Sequence, residues 1–167
     1  MLLHTIIRPS IRQTTTALCG LILSLCLSSV QALTLTDYKP GDWQALIASA
    51  GKSPLIVHFW GFTCGPCLEE LPRWGAFLEK NPALKTIFIE VDQVPESASL
   101  KALHDAHLDL ADLRVSTAYF DEYMRYEIDP KWMGELPLTL LISPQGEVKR
   151  LRGTVDFADL RKWLNTQ

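Results

Sequence analysis

Leu55-Ile56-Val57-His58-Phe59-Trp60 runs through Gly61-Phe62-Thr63 into Cys64-Gly65-Pro66-Cys67, after which Leu68-Glu69-Glu70-Leu71-Pro72-Arg73-Trp74 takes up a helical spacing. The first six residues, largely β-branched or aromatic, read as a buried strand. The two thiols therefore sit where a strand hands over to a helix. A helix that begins at or just after Cys64 leaves its first N–H groups unpaired, and with the positive end of its dipole these stabilise a thiolate on that sulfur. Cys64 is the expected nucleophile. Cys67, one turn inside, is more shielded and placed to reach back, as a resolving thiol must. Pro66 falls in the first turn, where a missing N–H costs little.

Other uses of such a pair fit less well. A structural zinc needs four ligands, and outside the N-terminal segment the chain has only Cys64 and Cys67 with His58, His104 and His107. No metal site is expected. A disulfide closing so short a loop removes little chain entropy, so it would be a poor staple. His104 and His107 lie a helical turn apart, and two imidazoles on a solvated face are an incomplete ligand set.

Upstream, Arg8 and Arg12 precede the apolar run Ala17 to Ser29, and Val30-Gln31-Ala32 has small residues where a signal peptidase reads. We expect export with cleavage after Ala32, since a run this short favours removal over anchoring; an uncleaved anchor is the alternative. Residues 33–167 then make one domain, enough for a real core. The whole chain of 167 residues has a formal charge of −3; the segment 1–32 contains two arginines and no acid, so the remainder is at −5. That balance excludes a basic nucleic-acid surface. Cys64 and Cys67 are the only thiols left in it, and a lone close pair in an oxidising compartment reads as catalytic.

Along the domain, Asp42 to Ala50 reads as a short helix closed by Gly51, and the dithiol helix extends to about Lys80 with a kink at Pro72. Thr86 to Val91 is a second buried strand, Ser97 to Leu108 a helix, and Ala118 to Ile128 another before Pro130. Pro137–Ile142 and Glu147–Leu151 form a hairpin about Ser143-Pro144-Gln145-Gly146, and Asp156 caps a last helix with Phe157, Leu160 and Leu164 on one face. Alternating strands and helices give an α/β class, a mixed central sheet between helical layers.

Cys64, Cys67, Glu70 and Pro72 are in register with the C-x-x-C-x-x-E-x-P helix of exported thiol-disulfide oxidoreductases of the TlpA/ResA type, in the thioredoxin superfamily. The resemblance covers roughly residues 36–167 and implies the thioredoxin-like three-layer fold, with an insertion between Asp92 and Trp132, before a cis-proline loop at Leu136-Pro137. In the superfamily that loop packs beside the dithiol and lends its backbone to the incoming chain. Relatives usually have Thr directly after this proline; here Leu138 intervenes before Thr139. Many also have Trp before the first cysteine, where this chain has Thr63. Trp60, Trp132 and Leu136 are candidates for the apolar rim of a partner groove, against the alternative that the aromatic rings are core.

Glu70 lies one turn beyond Cys67 and faces the sheet, so burial raises its pKa and lets it exchange a proton with Cys67 near neutrality. The resemblance implies the same role. His58 stands six residues before Cys64, where thioredoxin has a buried Asp and TlpA-like proteins often Asn. An imidazole there relays protons or, if protonated, favours the thiolate; the alternative is a core histidine satisfied by hydrogen bonds.

The expected activity is that of a periplasmic thiol-disulfide oxidoreductase, a reductase of protein disulfides, monomeric and without a bound cofactor. The resemblance implies a membrane thiol relay as electron donor, with cytochrome c maturation or metal-centre assembly proteins as possible substrates. Two alternatives remain: a net oxidant, since the motif does not fix direction, and a copper-handling module holding Cu(I) on the same dithiol, with or without His58.

Overall fold

The computed structural model describes residues 33–109 and 111–167. The expected signal segment lies outside them. Eleven elements follow in chain order: β1 (Thr36–Tyr38), α1 (Asp42–Ala48), β2 (Leu55–Trp60), α2 (Gly65–Leu78), β3 (Lys85–Glu90), α3 (Glu96–Asp105), β4 (Asp112–Ser116), α4 (Glu122–Ile128), β5 (Leu138–Ile142), β6 (Val148–Arg152) and α5 (Phe157–Leu164). The strands form one sheet in the order β1-β4-β3-β2-β5-β6. The β1–β4, β4–β3 and β3–β2 pairs are parallel; β2–β5 and β5–β6 are antiparallel.

The alternation of side chains along a strand sorts β2 between two cores. Leu55, Val57 and Phe59 join Trp43 and Leu46 of α1 and Met124 and Ile128 of α4 on one face. Ile56 and Trp60 join Cys67, Leu71 and Trp74 of α2, Leu103 of α3 and Leu160 of α5 on the other. His58, between Ile56 and Trp60, shares the α2 face. Trp74 is the hub there, edge-on to Phe88 at 5.6 Å and to Phe157 at 5.0 Å, each such pair contributing about 0.5–1.5 kcal/mol beyond area burial. Gly75 lets α2 meet the end of α3, since a Cβ there would lie 1.8 Å from the carbonyl oxygen of Ala106.

Both strands of the hairpin and the capped last helix form where expected. The Gly146 N–H closes the turn on the Ser143 carbonyl at 2.9 Å, and Asp156 accepts from the N–H groups of Ala158 and Asp159. Two strands, β1 and β4, are additional to the sequence reading. The helix expected from Ala118 starts only at Glu122, because Asp121 caps it by accepting the Met124 N–H at 3.0 Å. The helix expected to reach Leu108 stops at Asp105, and His107 turns the chain with φ 58°. The dithiol helix ends at Leu78 and continues through Pro72.

Candidate active site

Cys64 is the N-cap of α2: its backbone is extended and its sulfur accepts the Cys67 N–H at 3.2 Å. The pair is oxidised, with an S–S distance of 2.05 Å. Cys64 is half-buried while Cys67 is fully buried, so an incoming sulfur can reach only the first. A negative charge on Cys64 would meet the start of a 14-residue helix and a hydrogen bond already in place.

The approach to Cys64 is held from the next strand. Asp92, just past β3, accepts the Thr63 N–H at 2.7 Å and its hydroxyl at 3.3 Å. Gly61 makes room for this carboxylate, since a Cβ there would lie 2.8 Å from Asp92 Oδ2. Glu90, at the end of β3 and fully buried, accepts the Asp92 N–H at 2.5 Å and the Ser99 hydroxyl at 3.4 Å. Its pKa is pushed up to about 7, by burial first and then by the Asp92 charge. Neither acid was singled out in the sequence. The available signal was their place at the C-terminal end of a strand parallel to β2, the end where open α/β sheets carry their sites.

Glu70 is 1% exposed, whereas neighbouring Glu69 is in solvent. Its Oε1 accepts the Val155 N–H, and Oε2 faces His58 Nε2 at 3.8 Å with neither atom otherwise partnered. Burial raises the Glu70 pKa, opposed by the Val155 N–H, the Trp74 indole and the Arg73 charge. The His58 ring is completely buried between Trp74 at 5.1 Å and Phe88 at 5.3 Å, with Nδ1 2.9 Å from the Thr139 hydroxyl. Burial pushes its pKa down to about 3, so it is a neutral imidazole. An imidazolium favouring the thiolate is thereby replaced by a neutral ring that meets the carboxyl. Thr139 stands directly opposite His58 in the β2–β5 register.

The Leu136–Pro137 peptide is cis. Leu136 packs against both cores, including the one that contains Cys67. Trp132 lies in the other core, its ring 4.9 Å from Phe59 and its N–H donated to the Glu135 carbonyl at 2.9 Å. Its ring supports the loop from within and is 4% exposed. The same loop is tied to β6 by Arg150 on Asp129 at 2.6 Å and Arg152 on Glu135 at 2.5 Å. Cys64, Cys67, Glu70 and His58 thus share one face, Leu136 borders it, and Trp132 is on the other. Among the described residues no three His, Cys, Asp or Glu side chains converge as a metal site.

No family model matches the chain. Sporulation thiol-disulfide oxidoreductase A of Bacillus subtilis (strain 168) is 24% identical over 118 residues, 65% of this chain and 64% of that protein. The chain thus spans less than two thirds of the curated relatives it matches. A secreted Mycobacterium tuberculosis disulfide oxidoreductase homologous to E. coli DsbE superposes with a TM-score of 0.57 at 18% identity, over 72% of this chain and 86% of that one. The fold is thioredoxin-like. A thioredoxin-family thiol:disulfide interchange protein of Chlorobium tepidum TLS gives 0.55 at 21% identity, over 71% and 82% of the two chains. Within this thioredoxin-like fold the close cysteine pair occupies the start of the helix that follows the central strand β2. No described helix is long and apolar enough to cross a membrane.

Proposed function

We propose that the protein is an exported thiol-disulfide oxidoreductase that reduces protein disulfides in the periplasm, with Cys64 as nucleophile and Cys67 as resolving thiol. The observation that carries this reading is the asymmetry of the pair: an accessible sulfur at the helix start, hydrogen-bonded by a main-chain N–H, and a buried sulfur one turn inside. The Cys64 thiolate attacks one sulfur of a substrate disulfide, forming a mixed disulfide and expelling the other sulfur as a thiolate. Cys67 then loses its proton to the Glu70 carboxylate and attacks Cys64, releasing the second substrate thiolate and leaving the Cys64–Cys67 disulfide. A membrane thiol relay returns two electrons and two protons to restart the cycle. Leu136 and Pro137 present backbone to the substrate chain, and Trp132 holds that loop in place. No bound cofactor takes part, and the protein acts as a monomer.

Cys67→Ser, expressed in the native compartment, should accumulate mixed disulfides at Cys64 whose partners are reductase substrates. Partners that are themselves disulfide donors would reverse the direction to a net oxidant. Binding of Cu(I) by the dithiol with no turnover of a model disulfide would replace the whole reading by copper handling.

A further inference from the structure

Glu70 Oε2, His58 Nε2 and Trp74 Nε1 are all buried without a hydrogen-bond partner among the described residues. Leaving such atoms unpaired is costly, and the 3.8 Å between Oε2 and Nε2 is too short to admit a water. Closing by ~1 Å makes a hydrogen bond. The other atom of each group is already committed: Oε1 to the Val155 N–H, Nδ1 to the Thr139 hydroxyl. Whatever proton Glu70 carries therefore belongs on Oε2, facing the ring. Cys67, held in the disulfide, precedes Glu70 by one turn on α2, and exposed Arg73 on the same helix is the charge that acts on Glu70; the Trp74 indole can only donate, while Thr139 from β5 can donate or accept. Phe88 from β3 is apolar.

We propose that His58 is a positioning residue for the proton on Glu70, acting as a tautomer switch: it accepts from the protonated carboxyl through Nε2 and donates to the ionised one through the same nitrogen. In the acid form Oε2–H donates to Nε2, and Nδ1–H donates to Thr139. In the base form Nε2–H donates to the carboxylate, and the Thr139 hydroxyl turns to donate to Nδ1. On alkaline titration hydroxide removes one proton in all: that on Oε2 passes to Nε2, and that on Nδ1 is lost to solvent as water. The ring remains neutral throughout, as a fully buried imidazole between two aromatic rings must. An amide at position 58 would have to rotate bodily to exchange donor for acceptor; the imidazole exchanges only protons.

The switch deepens the proposed proton exchange between Glu70 and Cys67, and its test separates the two. In full-length protein labelled with 15N-histidine and 13C-glutamate, with His58→Gln used to assign the ring signals, His58 Nε2 should change from acceptor-type to N–H-type and Nδ1 the reverse, at the same midpoint as the Glu70 carboxyl. His58→Phe, which keeps a flat ring between Trp74 and Phe88, should raise that midpoint by about one pH unit, because a hydrogen bond to a carboxylate is stronger than one from a carboxylic acid to a neutral ring. His58 nitrogens that do not change through the Glu70 titration would overturn the switch. So would a Glu70 midpoint unmoved in His58→Phe but raised in Trp74→Phe, which would make the indole the operative donor. A coupled titration combined with unimpaired mixed-disulfide resolution in Glu70→Gln would uphold the switch and remove only its use by Cys67.

Discussion

Glu70 and Asp129 are equally hidden from solvent, each 1% exposed, yet their carboxyls are shifted in opposite directions. Glu70 meets a neutral ring, one main-chain N–H and the Trp74 indole, with exposed Arg73 making no ion pair to it, and burial holds its carboxyl above the usual carboxylate range. At Asp129 burial again pushes upward, but the Lys131 N–H at 3.1 Å and Arg150 at 2.6 Å outweigh it, and the carboxyl is held below. Solvent exposure alone is therefore no guide to the charge state of a carboxyl; what surrounds it decides. One acid is left free to gain and lose a proton, and the other is fixed as an anion that ties α4 and the cis-proline loop to β6.

The largest contrast is in rate. Glu70→Gln should slow resolution of the mixed disulfide on the order of 100-fold near neutral pH, the usual scale of a lost general base, in stopped-flow exchange with a model disulfide. Initial attack by Cys64 should remain intact. Asp129→Asn should leave both steps unchanged per folded molecule. A comparable slowing in Asp129→Asn would show that loop position, rather than proton transfer, limits turnover.

In stability the ranking reverses. Asp129→Asn removes a charged hydrogen-bond acceptor from Arg150 and should cost about 1–2 kcal/mol at pH 7, seen as a lower denaturation midpoint. The pH dependence carries opposite signs. Asp129, with its pKa depressed on folding, contributes stability that is present above its ordinary value of 3.8 and lost as pH falls through the depressed one. Glu70, with its pKa raised, contributes stability that is complete below 4.5 and lost as pH rises through the raised value. Glu70→Gln should thus equal or exceed the wild type in stability at alkaline pH. A loss that persists at alkaline pH and fades only in acid would mean that Glu70 is held as a fixed anion like Asp129.

Glu90 provides a third point on the same scale. With a pKa raised from 4.5 to about 7, its contribution is full in acid and is lost between those values. Glu90→Gln should flatten that part of the stability profile by at most roughly 1.4 kcal/mol per pH unit. The smallest effect belongs to the exposed side of the same acid pair. Thr63→Ala removes only the hydroxyl contact to Asp92, keeps the main-chain one, and should change stability by less than about 0.5 kcal/mol. A large fall in exchange rate would instead make the Thr63 hydroxyl part of the substrate contact.

The fold was legible where periodicity and local chemistry agree. The six-residue strand β2, the cysteine cap with Pro66 behind it, the turn ending at Gly146 and the Asp156 cap are set by residues within a few positions of one another. The strands β1 and β4 were not legible: Thr36–Tyr38 is only three residues long, and Asp-Leu-Arg-Val-Ser carries charges that suit either a loop or a strand. They become strands because β4 extends the parallel ladder beside β3 and β1 in turn pairs with β4.

The chain itself dictated the dithiol, its place at a helix start, the turn that aims Glu70 at the sheet and the strand that carries His58. Each depends on spacing along a single element, which covalent geometry fixes. Only the tertiary structure decided which groups those side chains meet. Thr139 reaches His58 across 81 positions of sequence, Val155 reaches Glu70 across 85, and Asp92 grips Thr63 from the neighbouring strand. It also decided that Trp132 belongs to the core on the far face of the sheet while Leu136 borders the dithiol face. Ionisation follows from those encounters, because a buried acid takes its charge state from the donors that packing sets around it and not from its position in the chain.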